Sequence, residues 1–63
     1  MNTYIDPEYY QSADDVKGVD SETLREAHKN AKEIYNFCGG HWRAHRMETA
    51  MRVIDSELAS REV

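Results

Sequence analysis

A cysteine and two histidines stand close together around the chain's glycine pair. Cys38, His41 and His45 form a Cys-x2-His-x3-His pattern, and two histidines one helical turn apart can share a metal ion. A structural zinc site uses four ligands, commonly with two or more thiolates, whereas this chain has one cysteine. His28 lies about three helical turns before Cys38, which makes it a poor fourth ligand. We therefore predict no metal site and no cofactor.

Cys38 is also the only thiol that could act as a catalytic nucleophile. A nucleophilic cysteine needs a base and a group that orients that base. His41 is near in sequence, but two glycines separate the pair and no acid is placed to orient the imidazole. We predict that Cys38 is a small buried residue and that the protein is not an enzyme.

The segment after the glycines is the densest cationic stretch of the chain. Arg43 and Arg46 fall in the first turns of a predicted helix, where positive charge opposes the helix dipole. Together with free N–H groups they could hold a phosphate or a carboxylate, and Trp42 could stack on a base or anchor a protein. The structural alternative places Trp42 beside Phe37 at the end of a bundle, with the arginines paired to acids such as Glu48.

Two apolar stripes at helical spacing define the elements that must position these residues. They predict helices at about 21–38 and 41–60, with Asp20 or Ser21 capping the first and Gly39-Gly40 separating the two. A break this short turns the helices back on each other, so the predicted class is all-α with a helical hairpin. The stripe positions, predicted to form a core or a dimer interface, are Leu24, Ala27, Ala31, Ile34, Met47, Met51, Ile54 and Leu58.

A hairpin of two helices has no closed core of its own. The 63 residues form at most one small domain. Ala50 and Val53 lie beside the main stripe and would remain exposed to solvent in a monomer. We therefore predict a homodimer that forms a four-helix bundle. The alternative is that residues 4–19 fold back as a third element.

The whole net charge of −4 lies in the N-terminal third. Residues 1–20 hold five of the twelve acids and one of the eight basic residues, and the rest of the chain is balanced. Asp6-Pro7-Glu8 is a good helix start, so we expect a short helix or turn at about 7–16. The alternatives for this segment are a lid of Tyr9, Val16 and Val19 over the hairpin, an acidic surface that docks on a basic protein or mimics nucleic acid, and a disordered tail.

Composition limits the cellular setting. We find no run of apolar residues suited to a signal peptide or a membrane span. A single free thiol suits a reducing cytoplasm. The isoelectric point of about 5.2 counts against nucleic acid as the partner, because affinity for nucleic acid depends largely on neutralising phosphates.

The amino-acid sequence resembles the sequences of a known group of small proteins. From Met1-Asn-Thr-Tyr-Ile-Asp-Pro-Glu-Tyr-Tyr, through Cys38-Gly-Gly-His-Trp-Arg, to Ser60-Arg-Glu-Val, it is similar to the small early proteins of lambdoid bacteriophages encoded between the exonuclease and excisionase genes. The resemblance covers the whole length of the chain and rests on its size and its overall amino-acid sequence. It implies a bacterial host cytoplasm, expression early in infection, and a role in the lysis–lysogeny balance or in host takeover, and it transfers no functional residues.

The residues and the resemblance together favour a non-enzymatic regulatory protein that acts through protein–protein contacts. The candidate contact residues are Tyr9, Tyr10, Trp42, Arg43 and Arg46. The alternative is a small nucleic-acid-binding regulator that uses Arg43, Arg46 and Arg52 around Trp42.

Overall fold

The computed structural model describes residues 5–38 and 42–62, and its two long helices lie where the apolar stripes predict them. After a 3-10 helix at Pro7–Tyr9 come α1 (Ala13–Val16), α2 (Ser21–Cys38) and α3 (Trp42–Arg61). No strand occurs in the described ranges, so the all-α class is confirmed. The predicted start at His41 and the Gly39-Gly40 turn lie outside the described residues.

Helix α2 begins at a well-formed cap. The Asp20 carboxylate accepts hydrogen bonds from the Thr23 N–H at 3.0 Å and from the Thr23 hydroxyl at 2.7 Å. This satisfies one of the free N–H groups of the first turn, so the cap is Asp20 and not Ser21. The Thr23 hydroxyl is also the main cause that holds the pKa of the Asp20 carboxyl below its usual value.

Contacts between α2 and α3 join the beginning of one helix to the end of the other. The Arg61 Nη1 donates to the Ser21 hydroxyl at 3.1 Å, and the His28 Nε2 lies 3.2 Å from the Asp55 Oδ1. The helices are therefore antiparallel, as the hairpin requires. The end of α2 at Cys38 and the start of α3 at Trp42 therefore lie at the same end of the molecule.

Residues 5–20, which we call the strap, fold back on the hairpin as a third element. The 3-10 helix contacts both α2 and α3, and α1 contacts α3. The short helix or turn expected at about 7–16 is present as two short helices: Asp6 caps the 3-10 helix through the Glu8 N–H at 3.0 Å, and α1 follows after a break. The Asp15 carboxylate accepts from the Ser12 N–H at the start of α1 at 3.1 Å, which favours a new helix there.

The core forms where the strap crosses the hairpin. Val16 is fully buried in one cluster with Leu24, Ala27 and Ile54. Burying a side chain the size of valine or leucine contributes about 1.5–3 kcal/mol. This small cluster therefore supplies much of the free energy that keeps the strap packed against the hairpin. Partly buried residues packed against the cluster are Ile5, Tyr10, Val19, Val53 and Leu58.

The structure changes three expectations about burial. Tyr9 was expected in the lid, but its ring is 77% exposed, and Tyr10 packs on the core in its place. Ala50 is fully buried within one chain, because the strap completes the core without a second copy. Of the eight stripe positions, Leu24, Ala27, Ala31, Met47 and Ile54 are buried, whereas Ile34, Met51 and Leu58 are partly exposed.

Candidate functional site

Two large aromatic side chains are exposed at the connected end of the hairpin. Phe37 in the last turn of α2 is 91% exposed, and Trp42 at the start of α3 is 59% exposed. Phe37 therefore does not belong to the core face of α2, which ends one residue later. We call Phe37, Trp42 and their neighbours Ile34, Arg43 and Arg46 the aromatic end.

Trp42 and Arg46 form one unit on the first turns of α3. They are four residues apart, so their side chains meet on one face of the helix, and the Arg46 guanidinium carbon lies 5.8 Å from the centroid of the Trp42 ring. A guanidinium over an indole face is attracted by the ring's electrons. The contact fixes the direction in which the arginine presents its charge.

Arg43 binds a carboxylate from the strap. Its Nε lies 3.7 Å from the Glu8 Oε1, and both side chains are half-buried. The structural alternative paired the arginines with acids such as Glu48; Arg43 does pair with an acid, but the acid is Glu8, and Glu48 pairs with Arg52 at 3.8 Å, one turn along α3. The strap is held at the same end by the Gln11 amide, which donates to the Arg46 carbonyl oxygen at 3.1 Å.

A depression of about 330 Å³ opens between α2 and α3 at the aromatic end. Its lining combines Ile34 and Phe37 with the charged side chains of Glu33 and Arg43. Because Arg43 carries an apolar stem below its guanidinium, the floor of the depression is mainly hydrocarbon. The shape accepts one large side chain of a partner.

The structure separates the two tyrosines predicted as contact residues. Tyr9 is exposed on the strap, next in sequence to Glu8, the residue paired with Arg43. Tyr10 packs against the core and is half-buried. Of the five predicted contact residues, Trp42, Arg43 and Arg46 lie at the aromatic end, whereas the two tyrosines belong to the strap.

The acidic side chains of the strap accept hydrogen bonds or form ion pairs within the chain. Asp6, Asp15 and Asp20 accept hydrogen bonds at helix starts, Glu8 pairs with Arg43, and Asp14 lies 3.5 Å from the Lys17 Nζ. These contacts give the acidic charge a structural role. The hypothesis that the strap is an acidic docking surface therefore gains no support from the geometry.

The cysteine–histidine pattern is only partly covered by the structure. His41 and the Cys38 side chain lie outside what is described, and His45 is exposed on α3. Within residues 5–38 and 42–62, no three metal-ligating side chains come together. His28, the other histidine, lies beside Asp55 on the hairpin.

Phe37 and Ile34 belong to the aromatic end although the sequence predicts neither as a contact residue. The apolar stripe predicts Ile34 as core, and Phe37 enters only as a neighbour of Trp42. The signal in the sequence is position: Phe37 stands one residue before the predicted end of α2, where few residues of α3 can face it. Among the described residues the Phe37 ring stays almost fully exposed.

Comparison with known proteins gives no family for this chain. No protein-family model, curated protein or solved structure matches it. Among the described residues, no helix combines the length and apolarity that crossing a membrane requires.

Proposed function

We propose that this chain is a non-enzymatic regulatory protein that acts by binding another protein through the aromatic end. The observation that supports the proposal most is the 91% exposure of Phe37 beside the exposed Trp42. Tryptophan, tyrosine and arginine are the residue types that dominate binding energy at protein interfaces. Trp42, Arg43 and Arg46 belong to this end.

The resemblance to small early proteins of lambdoid bacteriophages supplies the proposed setting. In that setting the protein acts in the bacterial host cytoplasm early in infection. Its partner is a host or phage protein whose activity influences the lysis–lysogeny balance or host takeover. A rigid small hairpin with one exposed end suits a protein that blocks or recruits such a partner.

Self-association into a four-helix bundle is part of the proposal. The stripe residues left partly exposed by the strap, Ile34, Met51 and Leu58, favour a second hairpin along the helices, and Tyr35, 38% exposed, would join them. Light scattering at micromolar concentration tests this directly: twice the chain mass is expected, and a folded monomer contradicts the dimer.

The binding function is tested by affinity capture from bacterial lysate, with nuclease, chelator and reducing agent present. The wild-type chain is compared with Phe37→Ser and Arg46→Gln, and with Arg52→Gln as a matched arginine control away from the aromatic end. We expect a stoichiometric, nuclease-resistant partner that the first two variants lose and the control keeps. Equal capture by all four proteins contradicts the proposed surface.

The second candidate is binding of nucleic acid, and the stacked Trp42–Arg46 pair favours it because an indole and a guanidinium can both stack on bases. Arg43 and Arg52 would contact phosphates. The net charge of −4 opposes this function. Affinity for an oligonucleotide that falls steeply with salt and is lost in an Arg43→Ala/Arg46→Ala variant would favour it over the protein partner.

A further inference from the structure

We infer that the partner of the aromatic end is an acidic protein segment that combines a large apolar side chain with a neighbouring carboxylate. The apolar side chain occupies the depression between α2 and α3, and the carboxylate binds Arg46. This inference rests on the proposed function and specifies the chemistry of the partner.

The apolar half of the ligand follows from the depression. Its volume of about 330 Å³ and its lining by Ile34 and Phe37 suit a side chain such as leucine, phenylalanine or tryptophan. Phe37 itself is 91% exposed, so covering it removes a whole ring face from water. That burial gives the favourable free energy of binding.

The charged half follows from the start of α3. The first turn of α3 contains no acidic residue, so the positive end of the helix dipole and the arginines act in the same direction. Arg46 is held over Trp42 and forms no ion pair within the described residues. Stacking leaves the N–H edge of a guanidinium available for a carboxylate.

The strap already shows the same recognition within the chain. Glu8 pairs with Arg43 at this end. A carboxylate is therefore compatible with this surface. A partner segment would repeat that arrangement on the Arg46 side.

The charges of the rim favour such a segment over a nucleic acid. Glu33 lines the depression and repels a chain of phosphates, whereas a protein segment can place its apolar side chain there and its carboxylate toward α3.

The test is selection of a displayed library of short random peptides on the full-length protein. The enriched peptide is then synthesised with a fluorescent label, and its Kd is measured with wild type, Phe37→Ser, Arg46→Gln and the control Arg52→Gln. We expect enrichment of aspartate or glutamate beside leucine, phenylalanine or tryptophan. Phe37→Ser and Arg46→Gln should each weaken binding by about tenfold or more, and Arg52→Gln by less than about twofold.

Several outcomes overturn the inference. Enriched peptides without acids that Phe37→Ser no longer binds leave the proposed surface intact but refute the acidic ligand. Peptides bound equally by Phe37→Ser refute both proposals. The acidic ligand is also refuted if no peptide is enriched, if a single-stranded oligonucleotide binds and is lost in Phe37→Ser, or if Phe37→Ser only breaks self-association of the chain.

Discussion

The Asp20 carboxylate shows how one side chain joins helix capping to pH dependence. The hydroxyl and N–H of Thr23 both donate to it, and the hydroxyl is the larger cause that lowers its pKa from the ordinary value of 3.8. A group with a lowered pKa in the folded state stabilises the fold above its ordinary pKa. That contribution is lost as the pH falls through the lowered value.

We therefore expect Asp20→Ala to lower the urea midpoint of unfolding at neutral pH. The difference from wild type should shrink as the pH falls below 3.8, because the protonated carboxyl no longer stabilises the start of α2. Urea titrations followed by far-UV circular dichroism measure it. Asp14→Ala serves as the control, since Asp14 is an exposed acid paired only with Lys17; a difference for Asp20→Ala that is constant with pH would contradict the argument.

Single residues also mark the limit of prediction from the sequence. The choice between Tyr9 and Tyr10 depends on where the 3-10 helix ends: Tyr9 is its last residue, whereas Tyr10 follows as the C-cap, with φ −105° and ψ 75°, and packs against the core. A sequence in which both neighbours are tyrosine carries no signal for that choice. The pairing of Arg43 with Glu8 was missed because it joins residues 35 positions apart in different elements.

At the scale of elements, the long helices were predictable because their signals are local. The stripes repeat every three or four residues, and the ends coincide with Asp20 and the glycine pair, so the predicted helix at 21–38 agrees with the observed bounds. What the stripes do not specify is how deeply each position is buried. Met47 is fully buried, whereas Met51, one turn later, is only partly covered.

This difference predicts unequal effects of the same substitution. Met47→Asp places an unpaired charge in the core and should cost several kcal/mol, about 3–5 by analogy with breaking a buried ion pair, which is enough to unfold a small domain. Met51→Asp should be milder because water reaches its side chain. Circular dichroism of both variants, with Thr49→Asp as an exposed control, tests the register of α3, and equal loss of helix at positions 47 and 51 would contradict it.

At the scale of the whole molecule, the strap decides whether one chain can close its own core. The sequence left two solutions open for the apolar hairpin, a second copy or residues 4–19 folded back. The structure contains the second solution, with Val16 buried among α2 and α3 residues. Sequence alone does not choose between them, because both cover the same stripes with apolar side chains.

A variant that lacks residues 1–19 tests the role of the strap and keeps Asp20, the cap of α2. It loses Val16 from the cluster and removes the cover that Val16 gives Leu24, Ala27 and Ile54. We expect this shortened chain to associate at lower concentration than the full chain, because exposed apolar stripes favour pairing of hairpins. Light scattering over a dilution series measures it, with full-length Asp14→Ala, a change at an exposed position of the strap, as the control; an isolated hairpin that stays monomeric and equally helical would show that the strap does not cover the core.

Arg61 has a consequence for how the protein is made. Its Nη2 donates hydrogen bonds to the carbonyl oxygens of Val16 and Lys17 at 3.0 and 3.3 Å. These partners lie 45 and 44 positions earlier in the sequence. During translation the strap leaves the ribosome first, and its anchor in the last turn of α3 leaves long afterwards. The early segment is therefore made before its binding site exists, and the contacts of Arg61 with the strap can form only after α3 has been synthesised.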